Sequence, residues 1–198
     1  MELAAKELGE DPVTFPDKQS FFRLSSDFRN LPLAELPNGD WAFSMLRQYI
    51  FDSFEIARLE ELKKSSHSGL AELAAKIYTE ELYHLRHTQA WVTRLAQGTK
   101  ESRRRSQAAL DTLWYYAQQF ATPLPGESEL RSDKVVPDSA ELFARWNDQQ
   151  STFLAEIGLL PPNETTTLEV DRHIHTQHLS DLLEDMQQVA RIEPEGRW

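Results

Sequence analysis

Residues 74–95 read AAKIYTEELYHLRHTQAWVTRL, and within them Ala74, Ile77, Glu81, His84, Thr88, Trp91 and Leu95 recur at alternating spacings of three and four. That repeat is the signature of a helix burying one seam against its neighbours. Two positions of the seam, Glu81 and His84, are ionisable and stand as Glu-x-x-His. Residues three apart lie side by side on a helix, so the carboxylate and the imidazole project together. An ionisable group on a buried stripe needs a partner, a proton or a metal. Helical bundles that hold a metal pair point Glu-x-x-His inward from facing helices. The group opposite Glu81 and His84 therefore separates a metal site from a scaffold.

Working outward, Asp40 is read as the N-cap of a helix whose apolar stripe carries Met45, Tyr49, Asp52, Ile56 and Leu59. Lys63-Lys64 closes it, where cations suit the C-terminal dipole. The short link Ser65–Gly69 makes this helix the antiparallel neighbour of the Glu81/His84 helix. Asp52 lies mid-stripe, so Asp52, Glu81 and His84 together form half of a carboxylate-bridged di-metal site, an oxygen and imidazole mixture that divalent metals accept. The plainer alternative is that the three hydrogen-bond or ion-pair among themselves. No second half is legible. The 100–121 segment offers only Asp111 near its apolar stripe, and neither His175 nor His178 has an acid three residues before it. His173, His175 and His178 are read as a helix N-terminus facing solvent or a partner, and His87 as a surface residue.

The rest of the chain is helical in pattern. A stub over residues 1–9 ends in a turn at Gly9–Pro12, and a short helix spans about Asp17–Asn30 before the Pro32 and Pro37-Asn38-Gly39 breakers. Gly98 stands at a C-cap position. A helix over about Lys100–Ala121 carries Leu110, Leu113 and Trp114. Residues 122–137, with three prolines and a glycine, are expected to be the longest loop. Pro137 opens a helix at its first turn, with Leu142, Phe143, Trp146, Phe153 and Ile157 on a broad apolar face. A last helix runs from about Leu168 to Ile192. Without strand alternation or an internal repeat, the expected fold is an all-α bundle forming one domain over residues 1–198.

Composition narrows the function. The 32 acidic against 21 basic residues give a net charge of −11, which disfavours nucleic acid and anionic membranes. Against that balance Arg103-Arg104-Arg105 reads as a solvated face or a contact with an acidic partner. The absence of cysteine excludes disulfides and thiolate metal sites and agrees with a reducing cytoplasm. No apolar run reaches the roughly 18 residues of a membrane span. No phosphate loop, nucleophile elbow or Ser/His/Asp set is present. A cytoplasmic protein is expected.

The stretches LPLAELPNGD (31–40), RQYIFD (47–52), ELYHLR (81–86), AALDTLW (108–114) and HTQHL (175–179), with EDMQ (184–187) and Trp198, resemble one family. It is that of the C subunits of bacterial ring 1,2-phenylacetyl-CoA epoxidases, multicomponent oxygenases of phenylacetate breakdown. The resemblance runs from about residue 15 to the end. It implies a ferritin-like helical subunit, structural rather than catalytic, that pairs with a homologous A subunit. That A subunit holds the di-iron centre and binds the acyl-CoA, while a reductase supplies electrons. By the same resemblance Asp52, Glu81 and His84 match ligand positions of the catalytic relatives and form a degenerate half-site, so no cofactor is expected in this chain. Gln177 stands where the family usually has glutamate, and no role passes to it. Members usually begin with about two further helices, whereas this chain starts at Met1 near the end of the second. Either the true start lies upstream, or two copies share helices to complete the bundle.

Three functions are then in view. The first is a structural subunit in a homodimer or hetero-oligomer, with Trp114, Phe143 and Trp146 as interface aromatics. The second is a self-sufficient di-metal protein or oxidase using Asp52, Glu81 and His84 across a homodimer. The third is a ferritin-like regulator with no oxygenase partner.

Overall fold

The computed structural model describes residues 1–162, 171–194 and 196. Among them all regular structure is helical, as the periodicity predicts. Trp198 and the anticipated helix start at Leu168 fall outside the described residues. Contacts gather into two compact units, Asn38–Val170 and Met1–Pro37 with Asp171–Trp198.

The larger unit is organised around α4 (Trp41–Leu62), which packs against α5 (Ser68–Gln97), α6 (Lys100–Ala117) and α8 (Ser139–Glu156). Asp40 caps α4 as expected: its side chain accepts the Phe43 N–H at 3.0 Å, satisfying one of the donors a helix start leaves open. That bond, ahead of an Arg105 contact, holds the Asp40 carboxyl below its ordinary range. His67 caps α5 by accepting the Leu70 N–H, so the turn between α4 and α5 is short and the two lie antiparallel. Lys63 sits 3.6 Å above the Tyr78 ring and ties the end of α4 to α5. Gly98 does end α5, with φ −77° rather than a left-handed cap.

The core of this unit is aromatic. Phe54 stacks on Phe120 with centroids 4.1 Å apart, Trp114 stacks on Trp146 at 5.4 Å, and Trp146 meets Phe54 and Phe120 edge-on. Trp146 is 1% exposed and donates its indole N–H to Ser53 Oγ at 3.0 Å. Trp114 and Trp146 are therefore core residues and not interface aromatics. Trp146 of α8 turns toward Phe54 of α4 and Phe120 after α6, because burying a ring of this size stabilises by about 2–3 kcal/mol, while Phe143 is half-buried beside it. Asp138, not Pro137, opens α8, accepting the Glu141 N–H at 2.9 Å. The expected loop over 122–137 contains a short helix, α7 (Glu127–Ser132), whose first residue folds its carboxylate onto the Leu124 and Ser139 N–H groups.

The smaller unit joins α1 (Glu2–Leu8), α2 (Phe15–Phe21) and the single turn α3 (Pro32–Glu35) to α9 (Gln177–Ile192). α9 buries Leu179, Leu183, Gln187 and Ala190. The Gln187 amide donates to the carbonyls of Ser20 and Arg23, each at 3.0 Å. α9 starts later than the periodicity suggested because Thr176 is extended, at φ −80° and ψ 162°, with its N–H committed to Glu35.

Candidate functional site

Asp52 is 2% exposed, and both its oxygens are occupied. Oδ1 accepts from the Gln48 amide at 2.6 Å, and Oδ2 accepts from the Thr88 hydroxyl at 2.8 Å. Both donors are neutral, so a buried carboxylate is satisfied by hydrogen bonding alone. Thr88 lies on α5, which makes this a polar staple between α4 and α5.

Glu81 and His84 sit elsewhere on α5. The covered face of that helix runs through Ala74, Thr88, Val92 and Ala96. At 100° per residue, His84 lies about 80° round from its centre. The His84 side chain is accordingly 53% exposed, whereas Glu81 lies only about 20° from that centre and its side chain is 22% exposed, with His84 Nδ1 3.4 Å from Glu81 Oε2. The seam expected from the spacing is buried at Ala74 and Thr88 and open at His84. The later covered residues, Val92 and Ala96, follow an i+4 row that drifts away from it. His87 is exposed as expected.

These placements decide whether the three residues fit a metal pair, and they do not fit. Asp52 is engaged by neutral donors, His84 faces outward, and the half-buried Glu81 carboxylate contacts His84. Among the described residues, no three or more His, Asp or Glu side chains gather where they could hold an ion. Near the staple, α4, α5 and α8 line an open pocket of about 280 Å³ whose polar residues include Tyr49, Ser53, Gln89, Gln149 and a single carboxylate, Glu60. Burial pushes the Tyr49 phenol up, and its hydroxyl bonds to Gln150. These walls are mostly neutral and do not supply the ligands a cation requires.

A second polar cluster lies in the smaller unit. The His175 side chain is 7% exposed and that of Glu35 1%. Nδ1 of His175 is 2.6 Å from Glu35 Oε1, and Nε2 is 3.1 Å from the Phe28 carbonyl oxygen. A carboxylate and a carbonyl oxygen thus flank the ring, one at each nitrogen. Glu35 also accepts from the Asn30 amide at 2.8 Å and the Thr176 N–H at 2.6 Å. The reading of His175 as a solvent-facing histidine is thus overturned: it precedes α9 and is buried against α3. His173 and His178 are exposed. Leu31-Pro-Leu-Ala-Glu-Leu, with one acid inside an apolar run, was the signal that could have revealed its partner. In the Arg103–Arg105 run, Arg104 and Arg105 pair with Glu101, and Arg105 also with Asp40, so the cations serve this chain's own surface.

Residues 3–198 match the model of the phenylacetic acid catabolic protein family. The chain belongs to that family. It is 31% identical over 183 residues to the C subunit of 1,2-phenylacetyl-CoA epoxidase from Escherichia coli (strain K12), an alignment that covers 92% of this chain and 74% of the relative. The family is ferritin-like and helical, in agreement with the fold expected from the periodicity. Membership supports a role in phenylacetate catabolism. Among the described residues, no helix is long and apolar enough to cross a membrane.

Proposed function

We propose that this protein is a non-catalytic structural subunit of a phenylacetyl-CoA ring-epoxidising oxygenase, supporting a homologous di-iron catalytic subunit in the cytoplasm. The observation that carries the reading is the Asp52 carboxylate. It occupies the position that matches a ligand in the catalytic relatives, yet its two oxygens are used by Gln48 and Thr88. The similarity to the C subunit of an epoxidase supports the same conclusion. The chemistry is then assigned to the partner, and this chain contributes helix surfaces.

One observation favours the alternative of a di-metal site shared between two copies: Glu81 and His84 are accessible on α5. For that site to form, Asp52 must release both bonds and emerge from the α4–α5 contact, which breaks the staple and turns the Thr88 hydroxyl back to the His84 and Leu85 carbonyls of its own helix, at 3.1 and 3.2 Å. Co-expression with the cognate catalytic subunit tests the proposal. A stable complex is expected, with epoxidation of phenylacetyl-CoA requiring both chains. Turnover by this chain alone, or no association between the two, refutes it.

A further inference from the structure

The apolar face of α9 is wider than the smaller unit covers. Leu179, Leu183 and Ala190 are buried, but Leu182, Met186, Val189 and Ile192 are 39–73% exposed. Their spacings of four, three and three place them in a second row beside the buried one. This row is a contiguous apolar strip on one helix, not scattered surface residues. Its outer border is acidic. Asp185 lies three residues after Leu182 and four before Val189, and Asp181 lies one turn further back; both are exposed.

We propose that this strip is the surface on which a second, different polypeptide docks, through an amphipathic helix whose apolar stripe is bordered by Lys or Arg. The charge pattern selects that occupant. A second copy of this chain carries the same −11 charge and the same acidic border, so self-pairing sets like charges together. An anionic lipid surface is repelled for the same reason. Helix-in-groove recognition by i, i+4, i+7 anchors, with charges at the rim setting partner choice, fits what the strip presents. The inference rests on the structural-subunit reading and names the face that such a subunit uses.

The test uses the full chain and the purified cognate catalytic subunit as the probe, with affinity measured at low and high salt. L182Q/M186Q is expected to weaken the complex roughly thirtyfold or more, as loss of central apolar anchors does. D181K/D185K is expected to weaken it roughly tenfold and flatten its salt dependence. Both changes are on exposed residues, so far-UV circular dichroism of the isolated variants stays that of wild type. Should L182Q/M186Q misfold, D181K/D185K and Met186 oxidation still decide the matter. Affinities within threefold of wild type for the folded variants overturn the proposal. So does a wild-type homodimer that L182Q/M186Q dissolves, which assigns the strip to a second copy. Protection of Met186 from peroxide in the isolated monomer also overturns it, by placing this chain's own residues over the strip. If wild type itself fails to bind the catalytic subunit, the structural-subunit reading falls, and this inference with it. That result differs from variants that bind as well as wild type.

Discussion

Replacing His175 with Phe tests the buried cluster of the smaller unit. Phenylalanine fills the volume of the ring but donates nothing. Glu35 keeps its bonds from Asn30 and Thr176 and loses the 2.6 Å contact from Nδ1, worth about 1.5–3 kcal/mol for a hydrogen bond to a charged group. The Phe28 carbonyl loses its 3.1 Å partner but keeps the Arg29 Nη1 donor at 2.5 Å, so it is not left without a bond. The expected loss is therefore that of the Glu35 contact, about 1.5–3 kcal/mol. Amide hydrogen exchange in α9 reports it directly, because Thr176 immediately precedes that helix. Two kcal/mol corresponds to roughly a thirtyfold faster exchange. The double variant E35Q/H175F should exchange little faster than H175F, since contacting residues are not additive. Exchange of α9 within threefold of wild type in H175F would show that the ring carries no such energy, and the reasoning would fail.

Asp52→Ala should destabilise the larger unit by about 1–2 kcal/mol, because the staple between α4 and α5 is lost while the Thr88 hydroxyl keeps the His84 and Leu85 carbonyls and the exposed Gln48 amide reaches water; urea unfolding followed by tryptophan fluorescence measures it. Trp146→Ala should cost about 3–5 kcal/mol in the same assay, whereas Trp146→Phe keeps the stacked ring and loses mainly the Ser53 bond, about 1 kcal/mol. Asp40→Ala should cost about 1 kcal/mol through loss of the α4 cap. The Asp40 and Asp138 carboxyls are held below 3.8 by the Phe43 and Glu141 N–H bonds. Their capping stability is therefore complete above that ordinary value and is lost as pH falls through their lower folded values. An acid titration should show α4 and α8 losing helicity there, and in D40A the α4 part of that acid loss should shrink.

The helical architecture was legible because long amphipathic segments announce themselves. α4, α5, α6 and α8 carry apolar residues at helical spacing over 18 to 30 residues, and Asp40 marks a start by its side-chain chemistry. The details that escaped turn on contacts between distant residues. Spacing placed His84 on a seam, but the outcome depended on which row of α5 faces α4. α7 is too short to show a period. His175 is buried because Glu35, 140 residues away, supplies an acceptor, and no local pattern encodes that pairing. For Asp52 the sequence located a mid-stripe acid correctly, while Gln48 and Thr88, two ordinary polar residues, determine what that acid does.

Iron content after expression in iron-supplemented cells tests the central claim most directly, measured on the isolated chain beside its complex with the cognate catalytic subunit. Iron is expected to accompany the catalytic subunit, with a far less than stoichiometric amount in the isolated chain. Stoichiometric iron in the isolated chain, lost on changing Asp52, Glu81 or His84 to alanine, would contradict it.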